Sequence, residues 1–153
     1  MIKEKRYISF WVIEVFLIAS LFLLLLGQTT AIFNYDFAVS LGLQESVEDV
    51  GEFGVQLNRA FGVGDTIIYI PLIISSMIGL LLKKNWALIT TAAVMGISAY
   101  WATTSVFLLE FFIGVPNYNF IPDISYWLVI AMYIISGVWG LFYLILRGNR
   151  LLV

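Results

Sequence analysis

Four long apolar segments constrain the fold of this chain more than any other feature of its sequence. They cover residues 7–26, 66–82, 86–113 and 124–146, with Phe33 as an alternative end of the first segment, and about 20 apolar residues suffice for a helix to cross a bilayer. The first segment exceeds the 7–15 apolar residues of a secretory signal, so we expect it to be retained as a span. With 61% hydrophobic and only 12% charged residues among 153, a soluble domain of this size could not bury its apolar surface. The sequence therefore predicts a single all-α domain, a membrane-spanning four-helix bundle.

The charged residues alternate between the two sides of these four segments. Seven of the eight Lys and Arg residues fall on one side, and the other side holds seven acids with one cation, Arg59. Basic loops are retained in the cytoplasm, so the pattern predicts that the N- and C-termini are cytoplasmic. We expect the membrane to be the cytoplasmic membrane of a prokaryote. The seven basic residues are Lys3, Lys5, Arg6, Lys83, Lys84, Arg147 and Arg150, and the acids are Asp36, Glu45, Glu48, Asp49, Glu52, Asp65 and Asp123.

The predicted outer connection between the first two spans, residues 27–64, is long for a helical bundle. Apolar residues recur in it at three- and four-residue spacing, from Val47 to Phe61, with acids between them. Ser46 with Asp49 three residues later resembles a helix start. We interpret residues 46–61 as an amphipathic helix on the outer rim of the bundle. Such a helix either seals the outer ends of the spans or forms a lid or a partner surface.

Several kinds of chemistry are excluded by composition. The chain has no cysteine and no histidine, which excludes disulfides, tetrahedral Cys/His zinc sites and ordinary haem ligation. No nucleotide-binding loop or metalloprotease motif is present, and no lysine lies inside a span to form a retinal Schiff base. The few basic residues form no aromatic-interleaved patch, which argues against nucleic-acid binding. We predict no cofactor, although a bound lipid is compatible with the composition.

Glu14 is an ionisable residue inside the first span, roughly 10 Å from its start. An uncompensated charge at that depth costs at least about 2.5–3.5 kcal/mol. Residues at equal depth on the other spans carry hydroxyl groups, among them Ser75 and Ser76. Glu14 is therefore a candidate proton- or cation-coupling carboxylate. The alternative is a neutral acid that is hydrogen-bonded between helices or hydrated from the cytoplasmic interface.

Three carboxylates are predicted to converge at the outer ends of the spans. Asp65 and Asp123 precede the second and fourth spans, Glu110 lies near the end of the third, and Asn58 and Arg59 come just before Asp65. We expect Arg59 to pair with Asp65 or Glu110, unless Asp65 caps its own helix. The group would either connect the rim helix to the bundle or bind a cation such as Ca²⁺ or a polar head group.

Pro71 is expected to bend the second span about one turn from its outer end. A bend there could open a pocket beside Tyr100 and Trp101, which lie in the middle of the third span. A lipid, quinone or pigment could stack on these rings, and helix packing is the commoner reason for aromatic residues at such depth. At least one of the two rings should contact a neighbouring helix.

One stretch resembles a pattern found in uncharacterised small four-span prokaryotic integral membrane proteins. It consists of residues 61–65, Phe-Gly-Val-Gly-Asp, followed by Pro71 and by a helix end from Gly79 to Trp86 with a Lys-Lys turn. The resemblance implies a four-helix topology and no activity. Glu14 is also similar to a glutamate of small multidrug-resistance exporters, but those chains are shorter and lack a long loop between the first two spans.

The leading interpretation is a non-catalytic integral membrane protein, either an accessory or scaffold subunit or a lipid-phase ligand binder. It rests on an elaborated outer surface without a complete catalytic set. One alternative is a proton- or cation-coupled transporter of a small solute that uses Glu14, and another is an intramembrane lipid-modifying enzyme that uses the outer carboxylates. The expected partners are membrane lipids and another membrane protein or a second copy of the chain, and no nucleic acid.

Overall fold

The computed structural model describes residues 6–153, and over that range every regular element is helical. Four helices are long and apolar enough to cross a membrane, so the predicted all-α four-helix architecture is confirmed. The helices are α1 (Ile8–Phe33), the short α2 (Tyr35–Ser40), α3 (Val47–Leu81), α4 (Trp86–Phe111) and α5 (Ile124–Arg147), which a 3₁₀ turn (Gly148–Leu152) follows. Lys3 and Lys5, which the orientation prediction used, lie outside the described residues.

Two of the long helices contain a π-helical segment. In α1 the segment Leu24–Thr29 separates Ile8–Leu23 from Thr30–Phe33. In α3 the segment Asp65–Tyr69 separates Val47–Gly64 from Ile70–Leu81. A π-helical turn is rare and usually short, and it is often found at functional sites.

The connection between the first two spans is shorter than the predicted range of 27–64. Residues 27–33 continue α1, and residues 47–64 form the first part of α3, which leaves residues 34–46 as the connection. The first helix therefore ends at the alternative boundary, Phe33, and residues 27–33 contact α3. Tertiary packing overrides the weak helix propensity of Gly27 and the threonines there.

The helix predicted for residues 46–61 begins as expected but is not a separate rim helix. The Ser46 hydroxyl accepts a hydrogen bond from the Asp49 N–H, which caps the helix start. Gly51 has a φ of 67°, so the helical path breaks after the first turn. Val50 and Gly54 of the predicted apolar face are buried, whereas Phe61 is exposed. From Gly51 onward the helix is the first part of the second span.

Helix α4 packs closely against α5 and α3 at glycine residues, which have no side chain. An added Cβ at Gly137 of α5 would lie 2.7 Å from the backbone N of Ala99 on α4, and one at Gly140 would lie 2.6 Å from the sulfur of Met95. Small residues of this kind let membrane helices approach each other. Gly79, on α3, faces Ala87 and Trp86 in the same way, whereas Gly96 has no neighbour within 4 Å of such a Cβ.

The bundle has a basic end and an acidic end. At the basic end, Arg6 donates hydrogen bonds to the carbonyls of Leu80 and Leu81, the last residues of α3. The Leu80 carbonyl also accepts from the Lys83 N–H, so Arg6 pairs the helix-terminal carbonyl of Leu81 and adds a second donor at Leu80. Arg147 and Arg150 lie at the same end. At the acidic end, the N–H of Asn119, in the segment that joins α4 to α5, donates to the carbonyl of Asp49 at 2.6 Å.

Candidate functional site

Asp65 lies inside the bundle and does not cap a helix. Its side chain is 8% exposed, and its Oδ2 atom has no hydrogen-bond partner within residues 6–153. The backbone of Asp65 is helical, with φ −63° and ψ −42°, because α3 continues through it. It lies sixteen residues before Leu81, which is about 24 Å along the helix from the basic end. An ionisable group at this depth is a functional-site candidate by default.

The π-helical segments of α1 and α3 contact each other beside Asp65. The hydroxyl oxygens of Thr29 and Thr66 lie 2.8 Å apart and join the two segments by a hydrogen bond. Pro71 accounts for part of the irregularity in α3, because it cannot donate to the carbonyl of Ile67 as a regular helix requires. Pro71, where a bend was predicted, thus lies two residues after the π-helical segment.

Gln28 supplies a second unpaired polar atom in the same region. Its Oε1 is buried and has no hydrogen-bond partner in the described part of the chain. Its backbone carbonyl contacts Gly62, where an added Cβ would lie only 2.6 Å from the carbonyl oxygen. Asp65 and Gln28 thus place two unpaired acceptor oxygens on the two contacting π-helical segments. Buried acceptors are normally paired, so this region is suited to a proton or another cation.

A layer of buried hydroxyl groups continues from Asp65 across the bundle. Ser20, Tyr69 and Ser98 each lie twelve residues from the basic end of their helices, and Tyr133 lies fourteen residues from it, about 18–21 Å along the axes. All four side chains are buried. The layer therefore takes one hydroxyl group from each of the four spans.

The hydrogen bonds of this layer have a defined direction. Ser98 Oγ donates to the carbonyl of Val94 and is also bonded to the Tyr69 hydroxyl. A hydroxyl carries one proton, so Tyr69 must be the donor to Ser98. Ser20 lies beside Tyr133, but its Oγ has no complete hydrogen bond with a described residue. Both tyrosines lie within electrostatic range of Asp65.

Glu14 is also buried, at the other end of the bundle. It is 3% exposed, and its Oε1 has no hydrogen-bond partner among residues 6–153. It lies about 9 Å from the start of α1, with Arg6 in electrostatic range. Ser76, one of the hydroxyls expected to contact it, donates instead to the carbonyl of Leu72 on its own helix.

At the acidic end, Arg59 and Asn58 stabilise the connection between α1 and α3. Arg59 donates to the carbonyl of Ile32 at 2.9 Å, and to Gln56, in place of the expected partners Asp65 and Glu110.

Asn58 donates to the hydroxyl of Tyr35 at 3.0 Å and to the carboxylate of Glu45 at 2.7 Å. Burial raises the pKa of Glu45, and its hydrogen bonds oppose that shift. The network fixes residues 35–45 against α3.

The other two outer carboxylates do not join Asp65. Glu110 is exposed near the end of α4. Asp123 caps α5 by accepting from the N–H of Tyr126 and the hydroxyl of Ser125, and these bonds lower its pKa. Within residues 6–153, no three acidic side chains form a group that could hold a metal ion. The three outer carboxylates therefore do not assemble as a calcium site.

The predicted pocket residues of the third and second spans have separate environments. Trp101 contacts the ring of Tyr133, with centroids 5.5 Å apart, whereas Tyr100 is 73% exposed on the outside of the bundle. This meets the expectation that at least one of the two rings contacts a neighbouring helix. Ser76 is buried, and Ser75 is half-buried on the same helix.

Gln28, Ser20, Tyr69, Ser98 and Tyr133 were not among the predicted site residues. Their depth in the sequence could have indicated them. Each is a polar residue inside a long helix, and four of them lie at nearly the same level. Apolar side chains surround these helices on every face, so the sequence does not indicate which polar groups point inward.

No protein-family model, no curated protein and no solved structure matches this chain.

Proposed function

We propose that this integral membrane protein is non-catalytic and binds a proton or a small monovalent cation at Asp65, and that this binding is coupled to movement of a small solute. The observation that supports the proposal most directly is the buried Asp65 carboxyl, whose Oδ2 has no partner among the described residues. An ionised carboxylate in an apolar environment requires a compensating positive charge or a proton. The smallest ligand that meets this requirement is a proton.

The two contacting π-helical segments carry further oxygen atoms that suit a cation. Gln28 Oε1 and the hydroxyls of Thr29 and Thr66 are oxygen atoms, which hard cations prefer as ligands. Both segments that carry them are π-helical. The sequence indicated Glu14 as the coupling carboxylate of a transporter, and we now propose Asp65 for that role. Glu14 is a second buried carboxyl, nearer the basic end.

The proposal is tested by ion flux into proteoliposomes. Purified protein is reconstituted, and uptake of ²²Na⁺ and of protons is followed for the wild type, Asp65→Asn and Glu110→Gln. Glu110→Gln is the matched control, since it neutralises an exposed carboxylate on a neighbouring span. We expect Asp65→Asn to abolish flux and Glu110→Gln to retain it. Equal flux in folded wild-type and Asp65→Asn protein would contradict the proposal.

Binding without transport is distinguished by a second measurement. The thermal stability of the detergent-solubilised protein is compared in NaCl, in choline chloride of equal ionic strength, and across pH. A ligand that binds only the folded state raises stability with its concentration. An Asp65-dependent response of the wild type to Na⁺ or to pH supports the cation site even where no flux is seen, and a response that is absent or is unchanged in Asp65→Asn would contradict that site.

A second candidate function is that of an accessory subunit, which was the leading interpretation of the sequence. The observation that favours it is an apolar cavity of about 690 Å³ at the acidic end, between the start of α3 and the segment that follows α4. Val50, Phe53 and Val115 contribute to its wall. Purification in mild detergent should then yield a stoichiometric membrane-protein partner, and a monomer without a partner would argue against this role.

We further propose that the basic end faces the cytoplasm of a prokaryotic cell. The support is the distribution of lysine and arginine described above. Because the chain has no cysteine, single substitutions provide unique labelling sites. Ser40→Cys at the acidic end should react with a membrane-impermeant maleimide in intact cells, whereas Asn149→Cys at the basic end should not. The reverse result would overturn the orientation.

A further inference from the structure

A cavity at the basic end is lined by three arginines. It has a volume of about 480 Å³ and lies where the start of α1 meets the end of α5. Arg6, Arg147 and Arg150 contribute to its wall, together with Tyr7 and Ser9. The cavity is open to the surface, and Arg147 and Arg150 are exposed in it. Arginine binds phosphate oxygens through paired N–H donors, so three arginines at one cavity make it a candidate site for an anion.

Two of these arginines are held in place by neighbouring groups. Arg6 stacks on the ring of Phe10, 3.9 Å from its centroid, while two of its donors bond the carbonyls at the end of α3. A guanidinium has five N–H donors, so three remain for a ligand. Arg150 lies over the ring of Tyr7, 5.7 Å from its centroid. Positioned guanidinium groups lose less conformational entropy on binding than mobile ones.

In the described part of the chain, acidic residues do not neutralise the three arginines of the cavity. Arg147 and Arg150 form no ion pair with any residue in the range 6–153. Arg6, which precedes α1, has the buried Glu14 in electrostatic range about two helical turns further along the chain. The described groups around the cavity therefore carry three positive charges against at most one negative charge.

The surroundings of the cavity favour a lipid over a free anion. Ile8, which lines the cavity, is 83% exposed, and Leu146, which precedes Arg147, is 75% exposed. These side chains lie at the ends of membrane-spanning helices, where acyl chains would cover them. A soluble phosphate would use the arginines but leave this apolar surface uncovered.

We infer that this cavity binds the head group of an anionic phospholipid in the leaflet at the basic end. The head-group phosphate lies among Arg6, Arg147 and Arg150, and the acyl chains lie along the adjacent apolar helix surface. The three positive charges favour a lipid with two phosphates over one with a single phosphate. This inference is independent of the function proposed for Asp65, since the cavity lies at the basic end and Asp65 lies about 24 Å from that end along α3.

The test is native mass spectrometry of the detergent-solubilised protein titrated with lipids. Cardiolipin, which has two phosphates, is compared with phosphatidylglycerol, which has one, and with zwitterionic phosphatidylcholine. A basic residue near an anionic surface contributes about 1 kcal/mol to the free energy of binding. Arg147→Gln should therefore weaken cardiolipin binding about 5-fold. The double variant Arg147→Gln/Arg150→Gln should weaken it about 30-fold by the same estimate.

Lys84→Gln is the matched control, because Lys84 is an exposed cation at the same end that does not line the cavity. We expect it to change cardiolipin affinity less than about twofold. An equal loss in Lys84→Gln and Arg147→Gln would mean a diffuse charge effect and would overturn the site. Arg147→Lys keeps the charge but loses the planar donor pair, so an intermediate loss supports the site and an unchanged affinity opposes it.

Competition separates the lipid from a soluble anion. Inorganic pyrophosphate at millimolar concentration should leave cardiolipin bound, since it cannot cover the apolar surface. Displacement of cardiolipin by pyrophosphate would instead indicate a site for a soluble phosphate compound and would overturn the lipid assignment. Equal affinity for cardiolipin and phosphatidylcholine would overturn the anion site altogether. Unchanged melting temperatures of the variants confirm that they are folded.

Discussion

The contact between Gly62 and α1 holds the two π-helical segments together, and it can be tested by adding one methyl group. An ideal Cβ at Gly62 would lie 2.6 Å from the carbonyl oxygen of Gln28 and 3.3 Å from Ile32 Cγ1. The first of these atoms belongs to the backbone, so it cannot move by a simple change of rotamer. The helices must separate by about 0.8 Å before that contact reaches the ordinary 3.4 Å.

The expected cost of Gly62→Ala follows from this displacement. A gap of about 0.5–1 Å removes a quarter to a half of the dispersion energy of each contact that it opens, and overpacking of a close interface costs about 1–3 kcal/mol. Alanine also favours the helix over glycine by about 1 kcal/mol. Gly64→Ala is the matched control, because it gains the same helix propensity and has nothing within 4 Å of its Cβ. The difference between the two variants therefore isolates the clash, at about 1–3 kcal/mol.

The assay is thermal unfolding of both variants in the same detergent. For a chain of this length about 1 kcal/mol corresponds to about 2–4 °C in melting temperature, so Gly62→Ala should melt several degrees below Gly64→Ala. Gly62→Ala should also weaken any Asp65-dependent response to Na⁺ or pH, because it separates Thr29 from Thr66. Equal melting temperatures, or a more stable Gly62→Ala, would refute the close contact between α1 and α3.

Three further changes test the rest of the fold by melting temperature. Gly137→Ala should destabilise the protein, because the added Cβ would lie 2.7–2.8 Å from backbone atoms of α4. Gly96→Ala should not, since its Cβ has no neighbour within 4 Å. Similar decreases in melting temperature for the two variants would contradict the close packing of α4 and α5. Ser46→Ala removes the cap of α3 and should cost about 1 kcal/mol, so an unchanged melting temperature would show that the cap contributes nothing. Burial raises the pKa of Glu45 above its ordinary 4.5, so the folded state binds its proton more strongly and stability should fall as pH rises from 4.5 through the raised pKa. Glu45→Gln should remove that decline, and an identical pH profile in the variant would contradict the assignment.

The four spans were predictable from sequence because the length of an apolar run fixes whether a helix can cross a bilayer. The ends of the helices near Gly27 and Gly64 were not predictable in the same way. Both regions contain glycine with polar or acidic neighbours, which locally indicates a turn. In the structure they pack against each other, and the π-helical segments form at that contact. Their helical state thus depends on a partner that local sequence does not reveal.

The candidate site was predictable only in part, for a related physical reason. Glu14 could be placed at membrane depth because its position within a span is fixed by counting residues. Asp65 was placed at a helix mouth because the second span was predicted to begin at residue 66, whereas its helix begins at Val47, about five turns earlier. Once α3 continues through Asp65, the same residue lies inside the bundle, and its expected partner Arg59 is directed to Ile32 instead. The difference between the predicted and the observed start of α3 therefore changes the chemical environment of Asp65.

Asp65 and Glu14 cannot form one binding site, because they lie about 15 Å apart along the helix axes by the rise per residue. They are separated by the hydroxyl layer, in which Tyr69 donates to Ser98 and leaves its lone pairs free to accept. Such hydroxyls can accept and donate protons in turn, so the layer lies where a proton moving between the two carboxyls would pass. Glu14 Oε1, Ser20 Oγ and Asp65 Oδ2 have no hydrogen-bond partner among residues 6–153, so the layer is not a continuous chain of hydrogen bonds between the two carboxyls. The separation of Asp65 from Glu14 therefore gives two distinct buried carboxyl positions, and substitution of each is a separate test.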